Sequence, residues 1–470
     1  MTTPDPVTPA GPLAGHPHLQ DLAGFVRASP SSYHAAAEVA RRLEAAGYRR
    51  VDERRDFPAA PGGYVLVRDG AVLAWWIPDG VGPAGAAGAG PDAARSEAAA
   101  PRGEGAVGTV PVFRILGAHT DSPTFKLKPR PTTSREGWLQ AGVEVYGGPL
   151  LNSWLDRELC FAGRLVTEDG TEHLAATGPV ARFPQLAIHL DREVNDGLSL
   201  DRQQHLNPVW GADDAGPGPS DILAVLARAA GVDPRAVRGF DVVMADTQPP
   251  ALFGTAGEFF ASGRLDNLSS VHAGLVGMEA LAAEAPADSA DGAPVIPVLA
   301  AFDHEELGSA SRSGAAGPVL EDVLRRLLEA LGVHGQGVPR SLAGSWLLSA
   351  DAGHLVHPNY AERHDPVNRP RPNAGPLLKI NANQRYSTDA AGAAAFARWC
   401  AHAGVPFQEF VSRNTVPCGS TIGPISATRL GIRTVDVGIG LLSMHSAREM
   451  CGARDPGHLA AVVRSFLAGA

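Results

Sequence analysis

Four short, nearly continuous apolar runs punctuate the chain: PVFRILGA, PVIPVLAAF, SWLLSA and TVDVGIG. A strand that shows one face to water alternates apolar with polar residues, so a run apolar at almost every position must bury both faces. Between and after these runs lie LSSVHAGLVGMEALAAE, LEDVLRRLLEALGV, AGAAAFARWCAHAG and HLAAVVRSFLAGA, whose apolar residues recur at helical spacing. Strands that alternate with amphipathic helices predict an α/β fold, a parallel-core mixed sheet flanked by helices. Near the N-terminus, HLQDLAGFVRAS and SSYHAAAEVARRLEAAGY read as helices, and GYVLVRD and AVLAWWIP as strands. The stretch 132–240 has a different grain, with the shorter strands GVEVYGG and RELCFAGRLV, several turns and one helix, DILAVLARAAG. It reads as a mainly-β domain inserted into a host formed by 1–131 and 241–470. Within the host, 80–108 is a Gly/Ala/Pro tract with too few bulky side chains to order itself, and is expected to be a flexible loop.

Charge and cysteine usage narrow the function. A net charge of -10 and a pI near 5.9 disfavour nucleic acid or an anionic membrane as a partner. No apolar stretch reaches the roughly 20 residues that span a bilayer. The N-terminal residues carry no basic segment followed by an apolar one, so no signal peptide is expected. The four cysteines form no CxxC pair, which suits free thiols in a reducing cytoplasm. Only three lysines (Lys126, Lys128, Lys379) stand against 37 arginines. A lysine that persists in such a chain is a candidate for a position that needs a compact ammonium.

Ligands in parallel sheets bind beyond the carboxyl ends of the strands, and here those ends carry metal-ligand side chains. PVFRILGA leads to His119 and Asp121, PVIPVLAAF to Asp303-His304-Glu305-Glu306, SWLLSA to Asp351 and TVDVGIGLLSM to His445, while Asp266 sits just before a helix in SGRLDNLSS. One aspartate at a strand end is usually a cap or turn former. Five such places make a two-ion hydrolase the better reading. Such a site needs a carboxylate between two ions, terminal ligands for each, and a separate carboxylate to move the proton of the attacking water. The neighbours Glu305 and Glu306 can divide ligand and base between them, pointing different ways at a strand end, and Asp121 can orient the His119 ring. No GxSxG occurs, so serine catalysis is unsupported.

The segments GAHTDSPTFKLKPRP, NSWLDRELCFAGRL, AIHLDREVNDG, ASGRLDNLSS, FDHEELGSASRSGA, SADAGHLVHPNY, KINANQRYST, CGSTIGPISATRLG and SMHSAREMCG closely resemble the M18 metalloaminopeptidases, the aspartyl aminopeptidases. The resemblance runs from about His34 to the C-terminus. It implies hydrolysis of the N-terminal residue of peptides, with a preference for Asp or Glu, by two divalent ions. Zinc suits both ions, with cobalt or manganese as alternatives at one. His119 and Asp351 would complete one site, Glu306 and His445 the other, with Asp266 bridging, Glu305 as general base and Asp121 orienting His119. The inserted domain would mediate dimerisation within a tetrahedral homododecamer. His189 would then reach a neighbouring subunit's site and Lys379 would meet an acidic substrate side chain; His354, just past Asp351 in the chain, is a candidate to line the pocket by its position alone. Gly353 stands where the family usually has Met, which is expected to loosen the loop after SWLLSA. Exopeptidases of the M42 or M20 type share the ligand order and are separated by the flanking motifs. A non-catalytic shell-forming scaffold would be expected to lose ligands, and all seven metal-site residues are present.

Overall fold

The computed structural model describes residues 13, 15–82, 110–212, 221–284, 286–289 and 292–470; most of the low-complexity tract expected at 80–108 lies outside them. Two sheets organise the described chain. The larger has nine strands, in the order Arg49–Arg50, Gly62–Arg68, Ala71–Ile77, Val295–Phe302, Val112–His119, Trp346–Ala350, Arg433–Gly438, Leu377–Lys379 and Gln408–Phe410. Its four central strands, Val295–Phe302 through Arg433–Gly438, run parallel, and antiparallel pairings flank them on both sides. The apolar runs read from the sequence are these central strands.

Burial on both faces explains their composition. Leu116, Ala118, Leu299 and Ala301 join one core, while Phe113, Ile115, Val298 and Ala300 join another on the opposite face. Each buried Leu or Phe contributes roughly 1.5–3 kcal/mol, so polar substitutions on either face are costly. The first face is covered by Pro17–Ala28, Ser32–Ala45, Leu265–Leu281 and Asp455–Leu467, and the second by Val319–Ala330. Leu265–Leu281 is buried nearly all round. Gly274 lets it approach the sheet, since a Cβ there would lie 2.5 Å from Leu116 Cδ2.

The second sheet is antiparallel, ordered Glu172–Ala176, Leu159–Thr167, Val237–Asp246, Thr124–Arg135, Trp138–Tyr146 and Val209–Ala212. It has its own core, including Phe125, Phe161 and Phe183, against which the helix Ile222–Ala229 packs. Thr124–Arg135 and Val237–Asp246 are neighbours in this sheet, and each runs a few residues beyond the range 132–240. Two helices absent from the sequence reading also appear, Gly337–Gly344 and Ile422–Leu430. Their glycines and prolines mask the helical period. Gly353 is held rather than loose: it pairs with Gly440, and its N–H donates to Ile439 O at 2.9 Å. All four cysteines are free, and among the described residues no helix is long and apolar enough to cross a membrane.

Candidate metal centre

The parallel register brings the strand ends level. His119 is the last residue of its strand and pairs with Phe302, the last of the neighbouring strand. Past Phe302 the chain turns through His304 in the left-handed region (φ 62°) into a short 3-10 turn, Glu305–Leu307. Glu305 and Glu306 thus occupy a helical turn and not the strand end expected from sequence, and the turn separates their side chains. Asp351 follows Trp346–Ala350 directly. Gly438 passes so close that a Cβ would fall 1.7 Å from Asp351 O. Asp266 lies in the non-helical opening of Leu265–Leu281, and its peptide bond to Asn267 is cis. Asn267 Nδ2 donates to Ala350 O at 2.8 Å, tying this opening to the strand before Asp351.

Asp266 stands between two imidazoles. Its Oδ1 is 3.3 Å from His119 Nε2, and its Oδ2 is 3.5 Å from His445 Nε2. Asp351 Oδ1 lies 3.6 Å from His119 Nε2, and Glu306 Oε2 lies 3.6 Å from His445 Nε2. Glu305 Oε2 stands off at 4.0 Å from His119 Nε2. Nitrogen and oxygen atoms of His119, Asp266 and Glu306 all fall within 4.8 Å of one another. The other ring nitrogens face backbone carbonyls, His119 Nδ1 at 3.1 Å from Asp121 O and His445 Nδ1 at 3.0 Å from Gly148 O. Each Nδ1 is thus paired with a carbonyl as a donor, which leaves each Nε2 as the nitrogen that faces the carboxylates and would coordinate a cation.

Asp121 organises the opposite wall. Its Oδ1 accepts the Glu305 N–H at 3.0 Å, and its Oδ2 accepts the Glu306 N–H at 3.2 Å and the Tyr146 hydroxyl at 2.9 Å. Burial, with Asp121 next, pushes the Tyr146 phenol far up, so it remains a donor.

The cluster is short of positive charge. Burial, reinforced by Asp351, Asp266 and Asp121 against the pull of His119, pushes Glu305 up to about 8. Burial and Asp266 push Glu306 well above the usual carboxylate range. At His445 burial is outweighed by Asp266 and Glu306, which push it up to about 10. Asp266 Oδ1 and Glu306 Oε1 are buried without a hydrogen-bond partner. Two inward-facing imidazole nitrogens, several carboxylates and orphaned oxygens fit divalent cations, which would replace the imidazole protons and relieve the repulsion among the carboxylates.

A cavity of about 400 Å³ opens beside this cluster, lined in part by Glu305, Asp351, His354, Lys379, Tyr386 and Met444. Lys379 is only 1% exposed, and its Nζ donates to Ala352 O at 2.7 Å and faces the Tyr386 ring at 5.3 Å. His354 is exposed, with its ring 6.1 Å from Phe410. His189 lies in an exposed turn and is absent from the cavity wall of its own chain. Lys126 and Lys128 bond to Asp241 and Gln203, at 2.7 and 3.1 Å. Tyr146, Gly148 and Glu449 touch the site residues and escaped the sequence reading. Glu449 lies inside the segment SMHSAREMCG, and Tyr146 and Gly148 inside GVEVYGG, which reads only as a strand.

A family model described as Aminopeptidase I zinc metalloprotease (M18) matches residues 104–467. The chain is 50% identical over 452 residues to "Probable M18 family aminopeptidase 2" of Streptomyces coelicolor, covering 96% of this chain and 97% of that relative. Among solved structures, a chain of the cryo-EM structure of the Ape4 and Nbr1 complex matches with a TM-score of 0.85 at 34% identity, covering 96% of this chain and 85% of that one. The S. cerevisiae mApe1 dodecamer matches with a TM-score of 0.76 at 26% identity, covering 95% of each chain. With its strand-end cluster of imidazoles and carboxylates, the chain belongs to the M18 family of zinc aminopeptidases.

Proposed function

We propose that this metal-dependent aminopeptidase uses two divalent ions and favours peptides with an acidic N-terminal residue. The observation that carries the two-ion reading is the position of Asp266, with one oxygen toward each of two imidazoles. His119 and Asp351 would hold one ion, Glu306 and His445 the other, with Asp266 shared. When bound, the ions polarise the scissile carbonyl and make water a stronger acid.

Glu305 is the general base. It stands farther from His119 Nε2 than Asp266 and Asp351 do, at the cavity wall where a substrate carbonyl and the attacking water would meet. It takes the water's proton and passes it to the leaving amine. Asp121 keeps Glu305 in place through its backbone N–H and orients His119 through its own carbonyl.

Lys379 supports the acidic preference. Its ammonium is in the cavity wall with one hydrogen directed to Ala352 O, and its remaining donors suit a carboxylate. His354 lines the same space. The second sheet would be an inserted dimerisation domain, presenting His189 to a neighbouring subunit. The exposed Leu186, Ile188 and Leu190 around His189 support burial against a second copy. The dodecamer of the similar S. cerevisiae mApe1 supports a closed homododecamer here.

The test compares release of the first residue from Asp- and Leu-linked chromogenic amides, with and without a chelator. Faster Asp release that chelation abolishes and zinc restores supports the reading. A Leu preference removes the acidic specificity, and chelator-resistant turnover removes the metal mechanism.

A further inference from the structure

Glu449 opens the strand Glu449–Gly452, pairs there with Ser262, and is 2% exposed. Its Oε2 accepts the backbone N–H of Asp266 at 3.0 Å, and its Oε1 accepts the backbone N–H of His445 at 2.8 Å. One buried carboxylate thus clips together two segments that arrive from different parts of the chain. Both segments have irregular backbone: Asp266 is non-helical at the opening of its helix, and His445 is left-handed with φ 67°. Neither N–H has a partner in a regular ladder, and a buried N–H without an acceptor is costly. A non-glycine residue in the left-handed region also needs its surroundings to hold it there.

Burying a carboxylate only for packing would be wasteful, since an apolar side chain of similar size packs at lower cost. Glu449 is instead held by two backbone hydrogen bonds, with the buried Arg264 guanidinium lining the same small cavity and interacting favourably with it. Its hydrogen bonds reach the backbones of Asp266 and His445, and its charge also acts on their side chains.

We infer that Glu449 is a positioning residue that sets the distance between Asp266 and His445, and so governs affinity for the ion between Asp266, Glu306 and His445. This inference rests on the two-ion reading above. Glu449 touches neither His119 nor Asp351, so the other ion should be affected only through Asp266.

The test is stepwise binding of Co2+ to metal-free protein, followed by calorimetry and by the cobalt absorption spectrum, for the wild type and Glu449→Gln. The variant keeps the size but has one acceptor oxygen, so an NH2 group opposes one of the two backbone N–H groups. One of the two steps should lose roughly 10–100-fold in affinity, as typically follows loss of a group that orients a ligand, with the other within about threefold. A variant that binds both ions as the wild type does, even with a lowered Tm, would reduce Glu449 to a structural role and overturn the inference. Equal weakening of both steps would overturn it as well. A wild type that binds only one ion would instead defeat the two-ion reading itself. A second measurement needs no variant. In metal-free wild type the Asp266 and His445 amides should be protected from hydrogen exchange, and rapid exchange at either would break the proposed clip.

Discussion

Tyr146 donates its hydroxyl hydrogen to Asp121 Oδ2 at 2.9 Å, so a strand of the second sheet braces a carboxylate at the carboxyl edge of the first. That carboxylate also receives the N–H groups of Glu305 and Glu306. Tyr146→Phe removes only the hydroxyl. The expected loss is about 1.5–3 kcal/mol of stability for a bond to a charged acceptor, with a several-fold fall in kcat and unchanged zinc content. Thermal unfolding with metal analysis and kinetics checks this, and an unchanged kcat would show that the brace does not reach Glu305.

These contacts mark how far the sequence could be read. The central strands were legible because both faces are buried, which forces an apolar residue at nearly every position of Val112–His119 and Val295–Phe302. The candidate ligands were legible because the chemistry restricts them to imidazole and carboxylate at strand ends. Gly148 acts through its carbonyl, which every residue possesses, and Glu449 receives backbone N–H groups, so neither leaves a side-chain signature at the residues it serves. The contact of Gly148 with His445 joins two loops whose residues lie 297 positions apart, which local patterning cannot reveal. Glu305 and Glu306 were placed at a strand end because left-handed His304, which breaks the strand into a turn, has no glycine to announce it.

Lys379→Met keeps the length and bulk of the side chain and removes its charge. If the ammonium meets an acidic side chain, the Asp-over-Leu ratio of kcat/KM should fall roughly 10–100-fold, equivalent to about 1.5–3 kcal/mol. Equal losses on both substrates would mark Lys379 as a support for Ala352 O alone.

The exposed turn that carries His189 predicts a cross-subunit role. Glu305→Gln should lower kcat by about 10²–10⁴-fold with metal retained. His189→Ala should cost about 10²–10³-fold if it donates to the developing oxyanion. When the two inactive variants exchange subunits, a mixed pair contains one site with an intact base and an intact neighbouring histidine. Partial return of activity is expected. No return despite proven exchange would contradict the cross-subunit assignment.

Acid should loosen the N-terminal helical layer. Burial lowers His18 and His34 to about 4, and burial lowers His272 as well, although its Nε2 lies 2.8 Å from Asp21 Oδ2. A histidine lowered in the folded state contributes stability above its unfolded value near 6.5 and loses it as pH falls toward the folded value. The raised carboxyls of the cluster act in the opposite sense, so the histidines are isolated by difference: between pH 7 and pH 5 the double variant His18→Gln, His34→Gln should lose several degrees less in Tm than the wild type. Equal Tm changes in the wild type and the double variant over that interval would contradict the burial of neutral imidazoles.

The central claim is that Asp266 joins two ions. Crystals of the zinc-loaded protein, measured at the zinc absorption edge, test it directly. Two anomalous peaks about 3.5–4 Å apart are expected, one beside His119 and Asp351 and the other beside Glu306 and His445, with one Asp266 oxygen on each. A single peak at saturating zinc, or two peaks with Asp266 bound to only one of them, would contradict the account.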